Sequence, residues 1–83
     1  MRITVKSAGR LAKFLPEGAE GNRAELDVSE GATPAMVMSQ IGMRPDTSCL
    51  VIVNGENVPK SARETHPLSE SDTISIMPPL KGG

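Results

Sequence analysis

Eighty-three residues with 37% apolar and 23% charged side chains make one small domain, which withdraws only a little over ~60% of its unfolded surface from water. Phe14 is the only aromatic residue, so the core must come from Ile, Val, Leu, Met and Ala, which suits a sheet with one helix and argues against a buried cofactor cavity. A net charge of −1 offers no broad attraction to nucleic acid, and no run approaches the ~20 apolar residues of a membrane span.

Met1 to Ser7 alternates, with Met1, Ile3 and Val5 on one face and Arg2, Thr4 and Lys6 on the other, which predicts a half-buried strand. A signal peptide needs a continuous apolar stretch where this alternation stands. The single Cys49 has no partner for an internal disulfide, so the expected location is the cytoplasm. Ala8 to Gly21 carries Gly9, Pro16, Gly18 and Gly21 around Leu11, Phe14 and Leu15. It reads as a loop with a hydrophobic foot, able to form one helical turn. The basic residues Arg2, Lys6, Arg10 and Lys13 have no stacking aromatics beside them, and this argues against a nucleic-acid patch.

Arg23 to Val28 alternates again, with Ala24, Leu26 and Val28 inward, and is expected to pair with the first strand. Gly18 and Gly21 lack the Gly-Lys-Ser/Thr ending and following helix of a phosphate-binding loop. Thr33-Pro34 opens a helix: the Thr33 hydroxyl caps free backbone N–H groups, and proline at the first helical position loses no hydrogen bond. Pro34, Val37, Met38 and Ile41 form its apolar stripe, and Gly42 stops it. Met36, Met38 and Met43 read as core filler rather than as metal ligands.

Cys49 to Val53 is an almost continuous apolar run, expected to be a strand buried on both faces or nearly so, with Cys49 a small hydrophobe rather than a nucleophile. Asn54-Gly55 is a strong turn signal. Glu56 to Ser71 is polar and broken by Pro59 and Pro67, so it reads as irregular, with Val58 and Leu68 as apolar anchors and a very short strand near Val58. The sole histidine, His66, has no neighbouring ligands for a metal, and none is assigned.

Thr73 to Met77 alternates with Ile74 and Ile76 inward and predicts a final strand. Pro78 and Pro79 then stop sheet pairing because neither donates a backbone hydrogen bond. The division expected is a domain over 1–77 and a C-terminal tail over 78–83 that ends in Gly82-Gly83. Fully extended, Pro79 to Gly83 reaches at most ~17 Å, far enough to enter a partner's active site while the domain stays outside.

The order of elements is similar to the ubiquitin-like β-grasp fold, an α+β arrangement with a mixed sheet and one main helix across one face. Val53-Asn54-Gly55-Glu56, Val58-Pro59, Leu68, Asp72 and Gly82-Gly83 resemble the MoaD/ThiS family of sulfur carriers. The Pro78-Pro79 step and the length are similar to the small subunit of molybdopterin synthase, and they favour that type slightly; Val53 to Pro59 looks more like the thiamine-pathway carrier. Ser71 stands where the family often has glycine, Ile76 and Met77 replace common aromatics, and Lys81 replaces a small or apolar residue.

The resemblance implies that this chain is a protein cosubstrate rather than an enzyme and binds no cofactor itself. An ATP-dependent activating enzyme, which supplies ATP and magnesium, would adenylate the Gly83 carboxylate. Sulfur from a persulfide donor would then displace AMP, and the resulting thiocarboxylate would serve a sulfur-accepting synthase. Gly83 has no Cβ beside the attack, and Gly82 lets the backbone thread a narrow channel. Met77, Pro78, Pro79, Leu80, Lys81 and Gly82 are the expected partner-binding residues: Leu80 fills an apolar groove, and Lys81 either meets a partner carboxylate or stays in solvent. Because Leu80-Lys81-Gly82-Gly83 also resembles the end of ubiquitin-type modifiers, two alternatives stand beside carriage: conjugation to proteins through Gly83, and an interaction domain with an incidental tail.

Overall fold

The computed structural model describes residues 1–79. Its elements are β1 (Arg2–Ser7), a 3-10 helix (Gly9–Phe14), β2 (Arg23–Asp27), α1 (Pro34–Gln40), β3 (Leu50–Val53), β4 (Glu56–Asn57), a second 3-10 helix (Lys60–Ala62) and β5 (Thr73–Met77). The strands form one sheet in the order β2-β1-β5-β3-β4. β1 and β5 run parallel, and the other pairs are antiparallel.

The last strand in sequence therefore occupies the middle of the sheet, and its sequence explains how it can. Ile74 and Ile76 point inward and are fully buried, flanked by Val5 and Ser7 on β1 and by Val53 and Val51 on β3. Val37 and Met38 of α1 close this layer from above, and Leu11, Val28, Ala32, Met43, Val58 and Leu68 seal its rim. Each fully buried aliphatic side chain contributes about 1.5–3 kcal/mol of transfer free energy. These side chains form one continuous cluster.

The helix begins and ends as its sequence predicts. The Thr33 Oγ1 accepts the Met36 N–H at 3.4 Å with Pro34 in the first turn. At the other end Gly42 adopts φ +89°. Its N–H donates to the Ser39 carbonyl at 3.1 Å, and the Met43 N–H donates to the Met38 carbonyl at 2.8 Å. This is a Schellman ending, which brings Met38 and Met43 together as its hydrophobic staple. Both are buried, whereas Met36 is 51% exposed: the helix bends only one face toward the sheet, so the filler reading holds for two of the three methionines.

Two further expectations need correction. β3 is buried on one face only: Val51 and Val53 point into the core, while Leu50 and Ile52 are half-buried on the opposite face. A continuous apolar run does not reveal which face is covered. The loop with a hydrophobic foot contains the 3-10 helix Gly9–Phe14, with Leu11 buried and Phe14 and Leu15 packed at the core's edge. Elsewhere Asn54 and Gly55, both at positive φ, make the tight β3–β4 turn, and the Val58 N–H reaches the Val51 carbonyl at 2.8 Å.

β5 is anchored at its start by a polar knot. The Asn54 side chain donates to Asp72 Oδ1 at 2.8 Å and accepts the Thr73 N–H at 2.9 Å, and Asp72 Oδ2 accepts the Ser69 N–H at 2.8 Å. Within this turn Ser71 adopts φ +71° while its N–H donates to the Arg2 carbonyl at 2.9 Å. A non-glycine residue in this region costs about 1–2 kcal/mol. Ser71→Gly is therefore expected to stabilise the domain by about 1 kcal/mol, partly offset by glycine's greater chain entropy, and to raise the thermal midpoint by about 4–8 °C per kcal/mol. Circular-dichroism melting checks this, and a lower midpoint would show that the serine side chain stabilises the turn.

Candidate functional site: the root of the C-terminal tail

The tail leaves the sheet between two neighbours. Met77 lies opposite Leu50 on β3 and Ser75 opposite Ile52, so Leu50, Ile52 and Met77 share the face turned away from the helix, all half-buried. Pro78 and Pro79 continue this line and are also half-buried. On the β1 side the buried Ser7 hydroxyl donates to the Ile76 carbonyl at 2.9 Å, and Gly9 lies against the Pro78 ring. The expected partner-binding residues Met77, Pro78 and Pro79 are thus consecutive, half-buried apolar residues at the end of the central strand. Leu80, Lys81, Gly82 and Gly83, the rest of the expected site, lie outside the described residues.

The residue that sequence reasoning missed is Arg63. It is 4% exposed and donates from Nη1 to the carbonyls of Pro45 at 3.0 Å and Thr47 at 2.9 Å, and from Nη2 to the Cys49 carbonyl at 2.7 Å. Its buried Nε has no hydrogen-bond partner. Carbonyls turned away from water need donors, and Arg63 supplies three hydrogen bonds to the half-buried Pro45, Thr47 and Cys49 of the segment that leads into β3. It thereby holds the strand that borders the tail. A single arginine in a polar, proline-broken segment looks like a surface residue; the only usable signal was the need of the 44–49 loop for donors between the buried Met43 and Val51.

Cys49 sits at the head of β3, half-buried against the core. Burial pushes its thiol above the ordinary range, against the opposing pull of the Arg63 and Lys60 cations. The thiol is therefore protonated at neutral pH, in keeping with the small-hydrophobe reading. His66 is half-buried in its loop, with its N–H on the Ala62 carbonyl at 3.0 Å. Among the described residues no cluster of three His, Cys, Asp or Glu is placed to hold a metal ion, and no helix is long and apolar enough to cross a membrane. At the far end of the sheet Arg2 Nε meets Asp27 Oδ1 at 3.0 Å and Nη1 meets Glu25 Oε1 at 3.4 Å. The hydrogen bond and charge of Arg2 hold the Asp27 carboxyl below its usual range, but exposed pairs of this kind contribute little to stability.

The family model described as the ThiS family matches residues 13–83. The chain belongs to the ThiS family. No curated protein sequence gives a significant match. Among solved structures, the chain is similar to SAMP1 from Haloferax volcanii, with a TM-score of 0.69 at 21% identity and 100% of both chains covered. It is similar to Urm1 from Trypanosoma brucei, with a TM-score of 0.66 at 21% identity over 99% of this chain and 95% of that one. It also resembles a chain of the complex of subunits 1 and 2 of the molybdopterin-converting factor from Helicobacter pylori, with a TM-score of 0.62 at 17% identity and full coverage of both. At these identities the likeness establishes the fold, a ubiquitin-like β-grasp, as the sequence predicted.

In this ThiS-family domain the tail root depends on the β3 head, and the β3 head depends on Arg63. Arg63→Met keeps the side-chain bulk but leaves three carbonyls without donors, which is expected to cost about 2–4 kcal/mol. Lys60→Met at its exposed neighbour should change stability by no more than about 0.5 kcal/mol. Urea unfolding of both variants checks this; equal midpoints would show that Arg63 does not anchor the loop.

Proposed function

We propose that this ThiS-family chain is a sulfur carrier whose Gly83 carboxylate is activated and then converted to a thiocarboxylate in partner enzymes. The observation that carries the reading is a central strand, β5, which runs straight into Pro78 and Pro79 in a chain whose match to the family extends through Gly83. The scaffold over 1–77 presents, and the tail over 78–83 reaches.

The chemistry asks little of the chain itself. A terminal carboxylate with pKa near ~3.5 is ionised at neutral pH and is a competent nucleophile once a partner positions ATP and magnesium. Its oxygen attacks the ATP α-phosphate, pyrophosphate leaves, and the acyl-adenylate forms. The outer sulfur of a persulfide donor then attacks the carbonyl carbon and expels AMP to give an acyl disulfide, and a partner thiol attacks the donor's sulfur in that S–S bond, forming a disulfide with the donor and releasing the C-terminal thiocarboxylate. That group delivers sulfur inside an accepting synthase. The outer-face side chains of Leu50, Ile52 and Met77 dock the domain on these partners, Leu80 enters an apolar groove, and Gly82 threads the channel. The Pro78-Pro79 step and the length favour a synthase of the molybdopterin type over the thiamine type.

A second reading, conjugation to proteins, draws on the name of one structural neighbour, the small archaeal modifier protein 1 of Haloferax volcanii, and on the Lys81-Gly82-Gly83 ending. It shares the activation step and differs in the acceptor.

Intact-mass measurement separates the readings. After incubation with ATP, magnesium, a ThiS-family activating enzyme and a persulfide donor, the full chain should show an oxygen-to-sulfur mass shift localised to its C-terminal peptide. An unchanged mass under conditions that convert a known carrier would overturn carriage. In tryptic digests of cells that express the chain, Gly-Gly remnants on target lysines, left by cleavage after Lys81, would identify conjugation.

A further inference from the structure

The parallel register between β1 and β5 continues past the end of the strands. Ser7 is paired with Ile76, so two residues further along each chain Gly9 stands beside Pro78. Both steps are occupied by contacts. Ser7 is fully buried, and its hydroxyl donates to the Ile76 carbonyl at 2.9 Å. Gly9 adopts φ +60°, and a Cβ built on it would lie 3.1 Å from Pro78 Cγ and 4.0 Å from Cδ.

We propose that Ser7 and Gly9 form a clamp on the root of the tail, positioning residues that set the direction in which the chain passes from β5 into Pro78 and Pro79. The proposal rests on the carrier reading for its consequence, because direction matters only if Gly83 must meet an ATP phosphate. The argument is one of space and stiffness. Proline fixes its own φ near −65°, so Pro78-Pro79 transmits an angular error at its base to everything beyond it. Ser7 fixes the carbonyl just before Met77. Gly9 lets the Pro78 ring approach closer than a side chain would permit: a Cβ contact of 3.1 Å is tighter than ordinary packing, and the obstructing atom belongs to a rigid ring rather than to a flexible side chain. The conformational requirement for glycine and the steric one coincide at this position but are separable. Gly21 has nearly the same φ, +63°, with nothing within 4 Å of a Cβ.

That pair gives the test its control. Asparagine tolerates positive φ better than most residues and carries a Cβ, so Gly9→Asn introduces the contact with Pro78 at reduced backbone strain, and Gly21→Asn introduces the same residue at the same φ without it. Steady-state ATP–pyrophosphate exchange with the activating enzyme is measured for the wild-type chain, G9N, G21N, P78A and G9N/P78A. Domain docking is unchanged on this account, while the carboxylate is misplaced. The expected result is therefore a kcat about tenfold or more lower for G9N with KM unchanged, no change for G21N, and no effect of G9N when measured against P78A alone, where the ring is gone. A G9N rate equal to that of G21N would overturn the clamp, as would a loss that persists in the P78A background.

If the wild-type chain supports no exchange, the carrier reading fails, and the clamp is then decided by NMR. A nuclear Overhauser effect between the Gly9 α-protons and the Pro78 ring protons in the wild-type chain supports it, and the absence of that effect overturns it. The NMR arm also decides the case if G9N does not fold.

Discussion

β5 hydrogen-bonds to β1 in parallel on one side and to β3 in antiparallel on the other, and the rest of the molecule depends on this double pairing. A strand in that position must be apolar on its core face, and Ile74 and Ile76 are fully buried there. Parallel pairing also needs a long crossover, so everything between β1 and β5 is obliged to wrap around the sheet: β2 flanks β1, α1 crosses the inner face, and β3 and β4 fill the other side. The most constrained strand is thus also the last. Its last residue, Met77, stands in the middle of the sheet, with β1 on one side and β3 on the other.

That placement puts several contacts of the fold beside the end of β5. The Ser7 hydroxyl bond to Ile76, the Gly9 approach to Pro78 and the three carbonyl bonds of Arg63 act at the borders of the tail root. Arg63 has no carboxylate within ion-pair distance among the described residues. A buried cation without a counter-charge is expensive unless its donors are used, and here Nη1 and Nη2 are used on the backbone that leads into β3 while Nε is left without a partner. The polar knot of Asn54, Asp72 and Ser69 fixes the opposite end of β5 and tolerates a strained Ser71 within it. On the outer face Leu50 and Ile52 of β3 and Met77 of β5 are apolar and half-buried, beside the polar Thr73 and Ser75.

How much of this was legible in the sequence depended on whether the physics was local. Period-two alternation in Ile3–Val5 and Ile74–Ile76 revealed both strands of the central pair, because each buries one face. Thr33-Pro34 and Gly42 marked the helix ends because caps are short-range devices, and Asn54-Gly55 marked the hairpin for the same reason. The one-sided burial of β3 was hidden because Leu50 and Ile52 are as apolar as the core-facing Val51 and Val53, so composition does not mark the covered face. Arg63 was hidden because its partners are carbonyls of Pro45, Thr47 and Cys49, which carry no side-chain signature. The close approach of Gly9 to Pro78 spans nearly the whole chain, and only the register of β1 with β5 brings the two together. Of the candidate site, Met77 ends β5 with its side chain outward, as the alternation implied, and Pro78 and Pro79 follow half-buried, whereas the contacts that border them had to be read from the fold.

The account divides the chain into a scaffold that folds without the terminal glycines and a terminus that carries the chemistry. The most direct measurement is paired thermal unfolding and ATP–pyrophosphate exchange on a chain that lacks Gly82 and Gly83. The account predicts stability within about 0.5 kcal/mol of the full chain together with complete loss of activation. Substantial unfolding of the shortened chain, or activation that survives the deletion, would contradict it.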